Sequence, residues 1–156
     1  MNGRNARPAL ALSLQFARDD MVHAHRHVLS RSLVVRCIRA ALERPAEMTV
    51  RVVGEDEGRR LNRDYRQQDH ATNVLTFDFS SRPLVVADLV LCAPVVEREA
   101  AAMGIAIADH YAHLLVHGAL HAQGYDHLED APAQVMESLE TVVLAQLGVA
   151  DPYGAP

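Results

Sequence analysis

His117-Gly118-Ala119-Leu120-His121-Ala122-Gln123-Gly124-Tyr125-Asp126-His127 sets three histidines at i, i+4 and i+10. On a helix the first two project from one face a single turn apart, the spacing that lets two imidazoles converge on one ion. The third lies beyond Gly124, a residue able to take the left-handed conformation that ends a helix and turns the chain back. Two histidines at i, i+4 arise by chance in a chain with nine of them, so the third, placed after a glycine, is the discriminating element. Three protein nitrogens around Zn²⁺ leave a fourth position open, as in catalytic rather than structural zinc sites.

The spacing follows the metzincin protease signature H-E-x-x-H-x-x-G-x-x-H at all three His and at the Gly. It departs at one position. Where the protease carries a glutamate as general base, this chain has Gly118, which cannot hold a proton, and peptide hydrolysis is disfavoured.

At 156 residues the chain is expected to be a single domain over 1–156 that buries a core without disulfides, residues 1–9 forming a disordered N-terminal extension. Cys37 and Cys92 are far apart on apolar stretches and read as free buried thiols of a reducing compartment. No apolar run reaches the length of a membrane span, and the first eight residues, with two Arg and no apolar segment after them, do not read as a signal peptide. A soluble, cytoplasmic protein is expected, with no membrane partner. Fifteen basic residues, all Arg, against twenty acidic ones give a net charge of −5, so the chain is no non-specific nucleic-acid coat. Any RNA contact must come from a local patch, and none with DNA is expected.

Leu10, Leu12, Leu14 and Phe16 alternate with other residues as in a half-buried strand. Residues 17–29, polar and holding His23, His25 and His27, read as an exposed connection. Ser30 caps a predicted amphipathic helix that stops before Pro45, and residues 48–53 form a strand. A second helix over 55–67 sets Leu61 and Tyr65 inward, with Arg59, Arg63 and Arg66 in a stripe on another face. Such a stripe is usually a solvated face, yet it is the one concentrated positive patch here. Residues 73–79 and 84–92 are strands, the second apolar enough to be central, and its Asp88 needs either a bonded structural role or a place at the site's edge. Helices follow from Pro94 to Gly104, over 107–123, and over 131–147 with Asp130 at its cap and Met136, Leu139, Val143 and Leu147 inward. The order implies an α+β fold, a small mixed β-sheet of about four strands covered by about five helices, with the histidines on a helix and the following turn.

The segments Leu61-Asn62 with Tyr65-Arg66, Ala71-Thr72-Asn73-Val74-Leu75-Thr76-Phe77, Ala87-Asp88-Leu89-Val90, His117 through His127, Met136-Glu137 and Asp151-Pro152-Tyr153 resemble, in order and spacing, the YbeY family of bacterial single-strand-specific endoribonucleases, or rRNA maturation factors. The resemblance spans residues 10–153 and is most specific in the histidine motif. It implies a zinc-dependent enzyme acting in 16S rRNA 3' end maturation and ribosome quality control. Its partners would be small-subunit rRNA, the ribosome, and ribosomal proteins or an assembly GTPase. His117, His121 and His127 fall on the family's metal ligands, and Arg66 on its functionally important arginine. The chain departs from the usual pattern at Ala122 after the second ligand, at Ala87 before the strand aspartate, and in a short hairpin over 80–83; none of these removes a ligand.

Zinc on three imidazoles can lower the pKa of bound water to about 7 and polarise a phosphoryl oxygen, both useful in hydrolytic or transesterifying phosphodiester cleavage. Arg66 then offers a planar fork of donors for charge building on phosphate oxygens. Catalytic roles thus fall to Arg66, His117, His121 and Asp126, the last either as base or, in better agreement with ligating histidines generally, as a carboxylate orienting an imidazole. His113, one turn before His117, suits a groove or supporting role better than a fourth ligand, which would close the site. Thr72 and Asn73 are as well explained by a polar turn as by substrate contact. Ni²⁺ or Cu²⁺ can occupy such a site in a purified sample. Two rivals stand beside the nuclease: a ribosome-assembly binding factor with weak or no cleavage, and, further off, a zinc peptidase.

Overall fold

The structure is a computed structural model and describes residues 8–125 and 130–154. Its elements run β1 (Leu10–Phe16), α1 (Asp20–Ala24), α2 (Arg31–Ala41), β2 (Ala46–Val53), α3 (Glu55–Arg66), β3 (Val74–Ser80), β4 (Val85–Cys92), α4 (Ala93–Met103), α5 (Ile107–Ala122) and α6 (Asp130–Gln146). The strands form one mixed sheet in the order β1-β2-β4-β3. β1, β2 and β4 are parallel and β3 is antiparallel to β4, so the apolar run over 85–92 is internal as its composition predicts.

The core follows from strand alternation. Met48, Val50 and Val52 of β2 and Val85, Ala87, Leu89 and Leu91 of β4 turn to one face, where they meet Ile38 of α2, Leu115, Ala119 and Leu120 of α5, and Leu144 of α6. The opposite face carries a smaller cluster of Val53, Leu75, Val90, Cys92 and Val95, against which Leu61 of α3 packs. α5 lies close on the sheet because position 118 has no side chain: a Cβ there would stand 2.9 Å from both Cδ atoms of Leu89.

The connection over 17–29 is more ordered than its composition suggests. Asp19 accepts from the amides of Met21 and Val22 and caps α1, and His25 is buried, its ring 2.7 Å from both Tyr111 Oη and Glu97 Oε1. Those partners are 86 and 72 residues away in sequence, beyond the reach of local pattern. Tyr65, expected inward, is half exposed, while Gly58 and Asn62 form the buried side of α3. The sequence reading of residues 1–7 lies outside the described residues. Among the described residues no helix is long and apolar enough to cross a membrane.

Both cysteines are buried and free, as expected. Burial pushes the Cys37 thiol up to about 11 against a downward pull from Arg36, and does the same to Cys92. At pH 8 the folded protein will therefore resist a thiol reagent that modifies both cysteines once urea unfolds the chain. Prompt labelling of either in the native protein would contradict this burial.

Candidate functional site

Three parts of the chain converge on a cleft of about 420 Å³. α5 supplies His117 and His121, the end of α3 supplies Tyr65 and Arg66, and the segment entering β3 supplies Thr72 and Asn73. The i, i+4 spacing on α5 puts both imidazoles on one wall, as the sequence requires.

Each wall is set by a hydrogen-bonded polar residue. Asn62 of α3, 1% exposed, donates to the carbonyl of His70 at 2.7 Å and folds the segment after the helix back beside Arg66. Asn73 Oδ1 accepts from the Val74 amide at 2.6 Å, and its Nδ2 donates to Glu99 Oε1 at 3.0 Å, the oxygen that His110 Nε2 also meets at 2.8 Å. Both ends of the Asn73 side chain are thus engaged in shaping the turn. Gln123, 5% exposed, donates to the carbonyls of Ala41 and Ala119 and accepts from the Glu43 amide, tying the end of α5 to the end of α2. Gly124 then takes φ 105°, the left-handed turn expected of it, and Tyr125 donates to Glu43 Oε2 at 2.6 Å.

The arginine stripe is divided. Arg59 makes a two-pronged pair with Asp69 at 2.8 and 2.9 Å, and Arg63 lies 3.6 Å from Asp64. Arg66 is exposed on the cleft wall, with no carboxylate in salt-bridge range among the described residues.

Behind His117 stands Glu140 of α6, fully buried, which the sequence analysis missed. His113 Nε2 reaches Glu140 Oε1 at 2.7 Å, Tyr153 Oη reaches the same oxygen at 2.8 Å, and His117 Nδ1 reaches Oε2 at 3.0 Å. Burial alone would raise the Glu140 pKa. Hydrogen bonds from His113 and His117, with the charge of His117 and the Tyr153 hydroxyl, outweigh it and hold the group at about 2. An ionised carboxylate only accepts, so Nε2 of His113 and Nδ1 of His117 carry protons. His113, His117 and Glu140 also place one ligand atom each within 4.8 Å of one another, a group able to hold a metal ion.

Residues 14–148 match the family described as Endoribonuclease YbeY. The chain belongs to that family. Its relatives include the Endoribonuclease YbeY of Methylibium petroleiphilum, 65% identical over 96% of this chain and 98% of the relative. That of Acidovorax sp. (strain JS42) is 60% identical over 94% and 97%. The solution structure of TM1509 from Thermotoga maritima superposes with a TM-score of 0.52 at 23% identity, covering 92% of this chain and 99% of that one, a likeness of fold.

Within this YbeY-family fold, the cleft brings together Arg66, His117 and His121 of the residues singled out from sequence. Asp126 and His127 lie outside the described residues. Asp88 is not part of the cleft: Leu89 faces α5, so its neighbour points to the other side of the sheet, where Asp88 lines a shallow depression with Ser13 and Thr49. Glu140 carried one legible signal, its i+4 position from Met136 on the buried stripe of α6, where an acidic residue needs partners.

Proposed function

We propose that this chain is a zinc-dependent endoribonuclease of single-stranded RNA, acting at the 3' end of 16S rRNA and in ribosome quality control, with the ribosome and its assembly factors as partners. The observation that carries the chemistry is the convergence of His117, His121 and Arg66 on one cleft. Imidazoles with a carboxylate behind one of them suit Zn²⁺, and His117, His121 and His127 would hold it. When bound, the ion would supply Lewis acidity and an acidified water.

The chain's own groups do the rest. Arg66 presents two parallel N–H donors to the non-bridging oxygens of the scissile phosphate and neutralises charge that grows there. Asn73, held by Glu99 and the Val74 amide, keeps the opposite wall in place. Tyr65 lies against Phe77 with ring centroids 4.2 Å apart and half of its surface exposed beside Arg66. An exposed ring next to a phosphate site favours unpaired bases, which can stack on it, over bases enclosed in a duplex.

The test is protein purified without a metal-affinity column, assayed for metal content and for cleavage of matched single-stranded and duplex RNA. Near-stoichiometric zinc, cleavage of the single strand only, and loss of cleavage on chelation with recovery on zinc addition are expected. Cleavage unaffected by chelation would remove the metal from the mechanism. Normal 16S 3' ends in cells that carry a folded but inactive His121 variant would instead favour a binding role in assembly.

A further inference from the structure

The Asp151-Pro152-Tyr153 segment, conspicuous in the sequence, plays no part in the mechanism above. The chain returns along α6 after Gly148, the Val149 amide bonding the Leu144 carbonyl at 2.8 Å. Asp151 Oδ1 lies 3.1 Å from Thr141 Oγ1 and accepts from the Tyr153 amide at 2.8 Å, which fastens the tail to the helix. The Tyr153 ring then meets His113 edge-on at 5.6 Å between centroids, and its hydroxyl reaches Glu140.

We infer that Tyr153 and Glu140 form a brace that fixes the orientation and tautomer of His117 from behind, so that the C-terminal tail sets how strongly the cleft holds its metal. The two carboxylate oxygens of Glu140 are divided between two tasks. Oε1 is held by the His113 and Tyr153 donors, which fix the plane of a carboxylate that is itself buried. Oε2 is thereby aimed at Nδ1 of His117. With Nδ1 protonated and committed to Glu140, any ligation by His117 runs through Nε2, and the ring cannot rotate without stripping a buried carboxylate of a donor. On this account the His113, His117 and Glu140 group is a hydrogen-bonded support, its N···O contacts of 2.7 and 3.0 Å being shorter than the roughly 3.3–3.6 Å that separates two ligands each about 2.0–2.2 Å from one tetrahedral zinc. Glu140 and Tyr153 are then positioning residues, acting through His117.

This rests on the zinc reading of the cleft, and the experiment separates the two. Full-length wild type, Glu140→Gln and Tyr153→Phe are titrated with zinc against a chromophoric chelator, and X-ray absorption at the zinc edge is recorded on wild type and Glu140→Gln. Tyr153→Phe keeps the ring and removes one oxygen, so it tests the brace even where Glu140→Gln folds poorly. Glu140→Gln is expected to weaken zinc binding about 10- to 100-fold, as outer-shell carboxylates do. Tyr153→Phe should weaken it about fivefold, the worth of one hydrogen bond. The wild-type spectrum should fit imidazole ligation without a carboxylate oxygen from Glu140. Equal affinity in all three proteins removes the brace and leaves the zinc reading standing. A carboxylate ligand that disappears in Glu140→Gln makes Glu140 a ligand and overturns the brace. Wild type that binds no zinc removes both.

Discussion

Replacing Gly118 by Glu, which writes the protease's general base into this histidine motif, will destabilise the fold and create no peptidase. A Cβ at 118 would stand 2.9 Å from both Cδ atoms of Leu89, and Leu89, on the internal strand β4, is fully buried. The methyl-sized intrusion alone costs about 1–3 kcal/mol as overpacking. A carboxylate placed between helix and sheet adds the cost of an unpaired buried polar group, at least about 1–3 kcal/mol more. Together these come to about 2–6 kcal/mol or more, which reaches the lower end of the about 5–15 kcal/mol that holds a small domain folded. Gly118→Ala is the informative control, because its helix propensity gain of about 1 kcal/mol partly offsets the clash. Urea unfolding should show a small loss for Ala and collapse or insolubility for Glu, with no digestion of casein by either. A stable Gly118→Glu protein that digests casein would mean α5 can lift from Leu89, and would bring the peptidase rival back. The glycine is thus a packing residue first, and the absent base a consequence of how closely α5 lies on the sheet.

What the sequence made legible was local. Alternation at Leu10, Leu12, Leu14 and Phe16 marked β1, and continuous apolar character marked β4 as internal. Spacing put His117 and His121 on one face, and Gly124 ended α5 in the left-handed turn. What it hid depended on partners far along the chain. His25 is buried because Tyr111 and Glu97 meet both its ring nitrogens, which no pattern within residues 17–29 could reveal. In α6 an apolar stripe through Leu139 competes with one through Glu140, and periodicity favours the leucine. Only the donors His113, His117 and Tyr153, arriving from α5 and the tail, make the glutamate the inward residue. Tyr65 was misplaced for a related reason: Asn62 takes the buried side of α3 by capturing the His70 carbonyl, and this turns Tyr65 outward to the cleft.

Among substitutions that leave the fold and the metal ligands intact, loss of the Arg66 guanidinium should produce the largest fall in activity. The three arginines of α3 look equivalent in sequence and are not. Arg59 is spent on Asp69 in a paired fork, Arg63 sits near Asp64, and Arg66 faces the cleft that His117 and His121 line. A donor preorganised for charge that develops at the transition state is worth about 10²- to 10³-fold in rate, so single-turnover cleavage of RNA by Arg66→Ala should fall by that factor. Zinc content should not change, and because the side chain is exposed, stability should stay within about 0.5 kcal/mol. Arg66→Lys restores the charge but not the planar fork, and should recover only part of the rate. Arg59→Ala is the matched control: it removes an exposed pair worth about 0–1 kcal/mol and leaves the cleft intact, so cleavage should be near normal. Wild-type turnover by Arg66→Ala would show that phosphate charge is neutralised elsewhere. Equal losses in the Arg59 and Arg66 variants would replace a directed fork with a diffuse positive face, whose effect, unlike that of a bidentate contact, should fade steeply as salt rises.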